Sequence, residues 1–167
     1  IGPLIPFIKV PQAHASFSQN NSTGTWDVNF NNNQQGIAPD GAPLRENITI
    51  DPTAGIAKLT PTFSSGYFNT VAVSPSSFTS WDKVIVDATY STSTDVRISL
   101  YTCSNVPIVG FQNMTLGAGG VINISSLPIS NTCVKARADL TDSGGARPII
   151  NDIKITWVPL PVLLITH

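Results

Sequence analysis

Apolar residues in this chain alternate with polar ones instead of recurring every third or fourth position. In the stretch 81–90, Val84, Val86, Ala88 and Tyr90 share one face. In 95–102 the inward set is Val96, Ile98 and Leu100, against Asp95, Arg97, Ser99 and Tyr101. The same reading sets Val134, Ala136, Ala138 and Leu140 against Lys135, Arg137 and Asp139, and Ile153, Ile155 and Trp157 against Asp152, Lys154 and Thr156. A period of two with one wet face predicts half-buried antiparallel strands. No eleven-residue window carries a helical i, i+3, i+4, i+7 stripe, and Gly, Pro, Asn or Ser interrupts almost every candidate.

Weaker strands are expected near Thr25–Phe30, Glu46–Ile50, Ile56–Leu59, Tyr67–Val73, Val106–Phe111 and Val121–Ile124. Turn chemistry separates them at Pro39-Asp40-Gly41, Ser64-Ser65-Gly66, Gly117-Ala118-Gly119-Gly120 and Ser143-Gly144-Gly145. About ten short strands divided by such turns predict an all-β chain, a single antiparallel β-sandwich of jelly-roll type. We divide it into an N-terminal extension, 1–15, and a sandwich domain, 16–167, that includes an apolar C-terminal strand.

The two ends break the alternation. Ile1 to Val10 carries one charge, Lys9, and the segment from Val158 onward carries no charged side chain before His167. Pro3, Pro6, Pro159 and Pro161 lack the N–H that a central ladder position requires, which restricts both segments to edge or interrupted pairing. Neither end is long enough to span a bilayer. Ala13-His14-Ala15 resembles a signal-cleavage site, but without a basic flank the segment reads as part of a mature, secreted chain.

Composition narrows the function classes. Charged residues are 11% of the chain and the net charge is −1, so no basic stripe exists to engage nucleic acid. Ser, Thr and Asn together make 47 of 167 residues, and neutral polar groups replace charges on the surface. Cys103 and Cys133 fit a disulfide closing a loop of about 30 residues in an extracellular chain, with two buried thiols as the alternative. Asn20, Asn21, Asn47, Asn113 and Asn123 each begin an Asn-x-Ser/Thr sequon and are glycosylation candidates.

Catalytic groups are sparse, and no enzyme is expected. Glu46 is the one glutamate and reads as a surface residue beside Arg45. His14 and His167 have no serine-and-carboxylate constellation around them. Two cysteines and two scattered histidines make no zinc set, and no cofactor is expected. A structural calcium would draw on Asp139, Asp142 and Ser143, on Asp40, or on Asp51 near Thr53; solvated Asx-turns are the simpler reading. Trp157 and Trp81 are expected in or capping the core. Trp26, Tyr67 and Tyr101 are expected to be more exposed, and Trp26 and Tyr101 would form the platform if the chain bound glycans.

The run Gly66 to Trp157, with its Tyr67–Val84, Thr92–Thr102 and Arg147–Trp157 stretches, resembles β-sandwich modules of secreted bacterial and archaeal surface proteins. The apolar N-terminus ahead of a Ser/Thr/Asn-rich sandwich is similar to subunits of donor-strand-linked extracellular filaments, the archaeal bundling pili and bacterial biofilm-matrix fibres. That resemblance implies a head-to-tail homopolymer at the cell surface. Its donor strand would carry Ile1, Leu4, Ile5, Phe7, Ile8 and Val10 into a neighbouring copy. The alternative is a secreted carbohydrate-binding or adhesive jelly-roll module, with surface glycans as partners.

Overall fold

A computed structural model describes residues 17–30, 37, 45–91, 94–144 and 146–161. The candidate donor-strand residues Ile1 to Val10, the turn expected at 39–41 and His167 lie outside them, as does the end of the apolar tail beyond Pro161. Twelve strands follow one another: β1 Phe17–Asn20, β2 Thr25–Asn29, β3 Arg45–Glu46, β4 Ile48–Asp51, β5 Ile56–Leu59 and β6 Ser65–Asn69, then β7 Phe78–Thr89, β8 Thr94–Thr102, β9 Met114–Thr115, β10 Val121–Asn123, β11 Val134–Asp142 and β12 Ile149–Pro159. Among the described residues the only helical element is one 3-10 turn, Ala118–Gly120.

The strands form two antiparallel sheets, as the period of two requires. A five-stranded sheet runs β3-β6-β11-β8-β9. In the seven-stranded sheet, β12 is the spine. On one side it pairs with β7 along its length; on the other it pairs first with β5 and then with β2, which carry β4 and β1 outboard. β10 adds to the far side of β7. These orders establish a two-sheet β-sandwich; a jelly-roll winding is a finer assignment than they carry.

The inward faces meet in one dry core. Val96, Ile98 and Leu100 of β8, Val134 to Leu140 of β11, and Ile153, Ile155 and Trp157 of β12 are buried on the predicted parity. Edge-to-face aromatic contacts join the two layers at Phe30 and Phe68 (5.7 Å) and neighbouring strands of the seven-stranded sheet at Trp81 and Trp157 (6.2 Å).

Several expectations fail for identifiable reasons. Trp26 is fully buried, because its strand lies between β1 and β12 and turns it inward beside Ile155. Ser99 sits on the polar parity but is buried, its hydroxyl accepting the Asn113 N–H at 2.9 Å. Val106–Phe111 is no strand. It is a loop that wraps the edge of β8, with Leu100 N–H donating to Phe111 O (2.7 Å) and Ile108 N–H to Leu100 O (3.0 Å). Ser64-Ser65-Gly66 is not a turn either, since Ser65 and Gly66 open β6. Gly66 faces Glu46 and Asn47 so closely that a Cβ would stand 2.7 Å from the Glu46 carbonyl oxygen.

The chain changes sheets at Asn47. β3 belongs to one sheet and β4 to the other, and the one residue between them adopts φ 57°. Asparagine tolerates this left-handed conformation better than most side chains. Its amide donates to Ser65 O at 3.2 Å, and its carbonyl accepts the Thr60 N–H at 2.8 Å.

Candidate functional site

The predicted disulfide forms. Cys103 and Cys133 are bonded with Cα atoms 5.6 Å apart, joining the end of β8 to the loop before β11. Nearby, Lys135 Nζ donates to Asn105 Oδ1 (3.0 Å) and Trp81 Nε1 to Asn131 O (2.9 Å). One end of the sandwich is thus pinned by a covalent bond and two long-range hydrogen bonds.

That end also carries unusual surface. Val106 and Val109 follow β8, Ile129 precedes β11, and Val158 and Leu160 close β12; all five are exposed, Val109 at 92%. Pairing places them at one end. β8 meets β11 there at Thr102 and Val134, and β12 meets the start of β7 there at Pro159 and Phe78. Phe63 and Tyr90, the other exposed large apolar side chains among the described residues, belong to the opposite end. Scattered exposed apolar residues are ordinary; here five of the seven among the described residues lie toward one end.

The aromatic platform does not assemble. Trp26 is core. Tyr67 is half-buried, and the Arg137 guanidinium carbon lies 3.7 Å from its ring centroid, covering the face a sugar would stack on. Arg137 is held there by Asp139, whose Oδ1 accepts from both Nε (2.8 Å) and Nη2 (2.6 Å). Tyr101 is half-buried, bridged by its backbone to Pro107.

Among the described residues, the aspartates named for calcium are engaged otherwise, and Asp40 lies outside them. Asp51 Oδ1 accepts the Thr53 and Ala54 N–H groups, and its other oxygen pairs with Lys58 at 3.3 Å. Asp142 accepts the Gly144 N–H (2.8 Å) and lies 3.9 Å from Arg147 Nε. Among the described residues no group of three metal-ligating side chains could hold an ion. Glu46 pairs in register with Tyr67 at the start of β6.

Of the sequons, Asn20, Asn21, Asn113 and Asn123 are exposed, while Asn47 is half-buried with its amide engaged at the sheet corner.

One cluster escaped sequence reasoning. On the outer face of the seven-stranded sheet, Asp152 stands opposite Asp87, and Lys154 opposite Asp27. Lys154 Nζ pairs with Asp27 at 3.4 Å. Burial first, then the neighbouring Asp27, pushes the Asp152 carboxyl up to about 7. The cause is a bulge. Ile150 pairs with Ala88 but Asp152 with Asp87, so Asn151 is an extra residue that shifts the strand's parity. Alternation alone gives no signal for it.

No family model, curated protein or solved structure matches this chain.

Proposed function

We propose that this chain is a secreted structural subunit of an extracellular filament, built on a jelly-roll sandwich. One copy adds an apolar strand, Ile1 to Val10, to the sheet of the next. The observation that carries the reading is the placement of exposed apolar side chains at both ends of the sandwich. Val106, Val109, Ile129, Val158 and Leu160 lie at one end and Phe63 and Tyr90 at the other. Two different surfaces facing opposite ways suit a heterologous, head-to-tail contact, which propagates instead of closing.

The body supports the same reading. Its described core, from Trp26 to Trp157, already packs most of its side chains to near-zero exposure. The apolar decapeptide Ile1 to Val10 brings further large apolar side chains that a neighbour's sheet would bury. Burying about four of its large side chains on a neighbour is worth roughly 6–12 kcal/mol before entropy. A low-charge surface and a disulfide suit an extracellular assembly.

Negative-stain images of the purified protein test the reading, and fibres are the expected result. A variant lacking residues 1–10 should keep its circular-dichroism spectrum and lose the fibres. Discrete monomers from the intact chain, or undiminished fibres from the shortened one, would overturn the proposal.

A further inference from the structure

The edge of the seven-stranded sheet has a notch. β7 pairs with β12 as far as Thr89, but its pairing with β10 stops at Ile85. Among the described residues no strand covers the outer side of β7 beyond Val86. The adjoining groove, about 700 Å³, is lined by Val86 and Ala88 of β7 and by Tyr90 just beyond it, and walled by Gly117, Gly119 and Gly120.

Alternation dictates what this edge offers. In an antiparallel ladder every second residue turns both its N–H and its C=O to the same neighbour. Asp82 O accepts from Ile124 N–H at 2.9 Å, and the register with β10 runs unbroken from there through Lys83, Val84 and Ile85, so from Asp82 onward the even-numbered residues of β7 face outward. Gly120 lies against Val86 so closely that a Cβ would stand 2.0 Å from the Val86 carbonyl oxygen. Ala88 is the next even position and Tyr90 the one after, so the notch presents two sets of backbone groups with two-residue spacing.

The occupant must show two facing residues at that spacing, neither of them proline. In Ile1 to Val10, Pro3 and Pro6 fall on opposite parities. The longest facing run free of proline is Ile5, Phe7 and Lys9. In that register Pro6 turns its missing N–H to the new outer edge, where no ladder bond is needed and further strand addition is discouraged.

Resting on the filament reading, we propose that the outer edge of β7 at Ala88 and Tyr90 is the acceptor for the N-terminal strand of a second copy. The strand pairs antiparallel, like every ladder of the described sheets, with Phe7 beside Ala88 and Ile5 beside Tyr90. Pairing ends where Lys9 meets Gly120. Directly opposed residues send their side chains to the same face. Phe7 therefore lies on the core side, next to the small Ala88, which itself packs against the core. The chain's own arm is the poorer occupant. β1 lies beyond β2 and β12 from β7, and an arm returning from Phe17 would lay apolar residues across Asp27, Lys154, Asp152 and Asp87.

Single-cysteine pairing tests this. Chains carrying Phe7→Cys and chains carrying Ala88→Cys are mixed, allowed to assemble and mildly oxidised. The expected result is a shift to the mass of two linked chains. It should be absent from either variant alone and from Phe7→Cys mixed with Ser126→Cys, a substitution in the exposed loop after β10. A chain carrying both substitutions that links to itself as a monomer overturns the proposal in favour of the chain's own arm. Fibres that form without the Phe7–Ala88 link overturn the acceptor and leave the filament reading standing. Neither fibres nor links overturns both. Thermal melts that match the unsubstituted protein show that the cysteine variants are folded.

Discussion

The hydroxyl of Thr156 accepts the backbone N–H of Lys83 at 3.1 Å and donates to Asp82 Oδ2 at 3.0 Å. The contact seals a bulge. Val84 pairs with Ile155 but Trp81 pairs with Trp157, so β7 spends three steps where β12 spends two. The extra residue reverses the parity of β7 and turns Trp81 into the core, although simple alternation sets it on the solvent face with Ile85 and Asp87. Thr156→Val keeps the shape and removes the acceptor. We expect a loss of about 1 kcal/mol in denaturant unfolding, with Thr156→Ser restoring most of it. Equal stability of Thr156→Val and the unsubstituted chain would show that the hydroxyl does not hold the bulge.

Asp152 makes stability depend on pH in an unusual direction. Its carboxyl holds a proton up to about pH 7 in the fold and releases it near 3.8 when free. The folded chain binds more protons than the unfolded one between those values. This contribution is fully present below about pH 4 and is lost as pH rises through 7. The group is half-exposed, so after allowance for screening the swing is on the order of 1–2 kcal/mol. Asp51, held below its ordinary value by the Ala54 N–H first and by Lys58, acts oppositely: its contribution is lost only as pH falls below 3.8. Melting temperature should rise from pH 8 to pH 5. Asp152→Asn should raise it at pH 8 and flatten the profile; a profile unchanged by that substitution would assign the pH dependence elsewhere.

Reduction of Cys103–Cys133 frees a 30-residue separation in the unfolded chain. The chain-entropy model gives a loss on the order of 3–4 kcal/mol. Unfolding curves with and without reductant measure it. A double serine variant should match the reduced protein.

The Gly117–Gly120 turn yields a paired prediction. Gly119 and Gly120 both have positive φ, 68° and 73°, but nothing lies within 4 Å of a Cβ at Gly119. Gly119→Ala should cost only the left-handed penalty, about 1–2 kcal/mol. Gly120→Ala meets the Val86 carbonyl as well and should cost clearly more. Equal costs would mean that Val86 yields freely.

Where burial follows a strict period of two, the sequence was easily read. β8, β11 and the second half of β12 are the clearest cases, and the pairing of Cys103 with Cys133 followed from composition and strand position. The misreadings share one cause: backbone irregularity that hydropathy does not record. A bulge brings Asp152 opposite Asp87, and a loop does a strand's work along β8 and buries Ser99. Trp26 was misjudged because a polar neighbourhood in sequence says nothing about which strands will flank it. The Asp27, Asp87 and Asp152 cluster draws on three strands far apart in the chain, so no spacing rule could have found it.

The order in which the sheet becomes completable has a kinetic side. β12 is the last described strand to leave the ribosome, yet β2, β5 and β7 all take it as a partner. Until residue 159 is available those three strands have no common neighbour, and the seven-stranded sheet has no centre. Folding of the sheet must wait until residue 159 is made, and it proceeds through contacts between residues far apart in sequence, which makes it slow. A nascent chain of this design stays open and threadable until its last described strand has emerged.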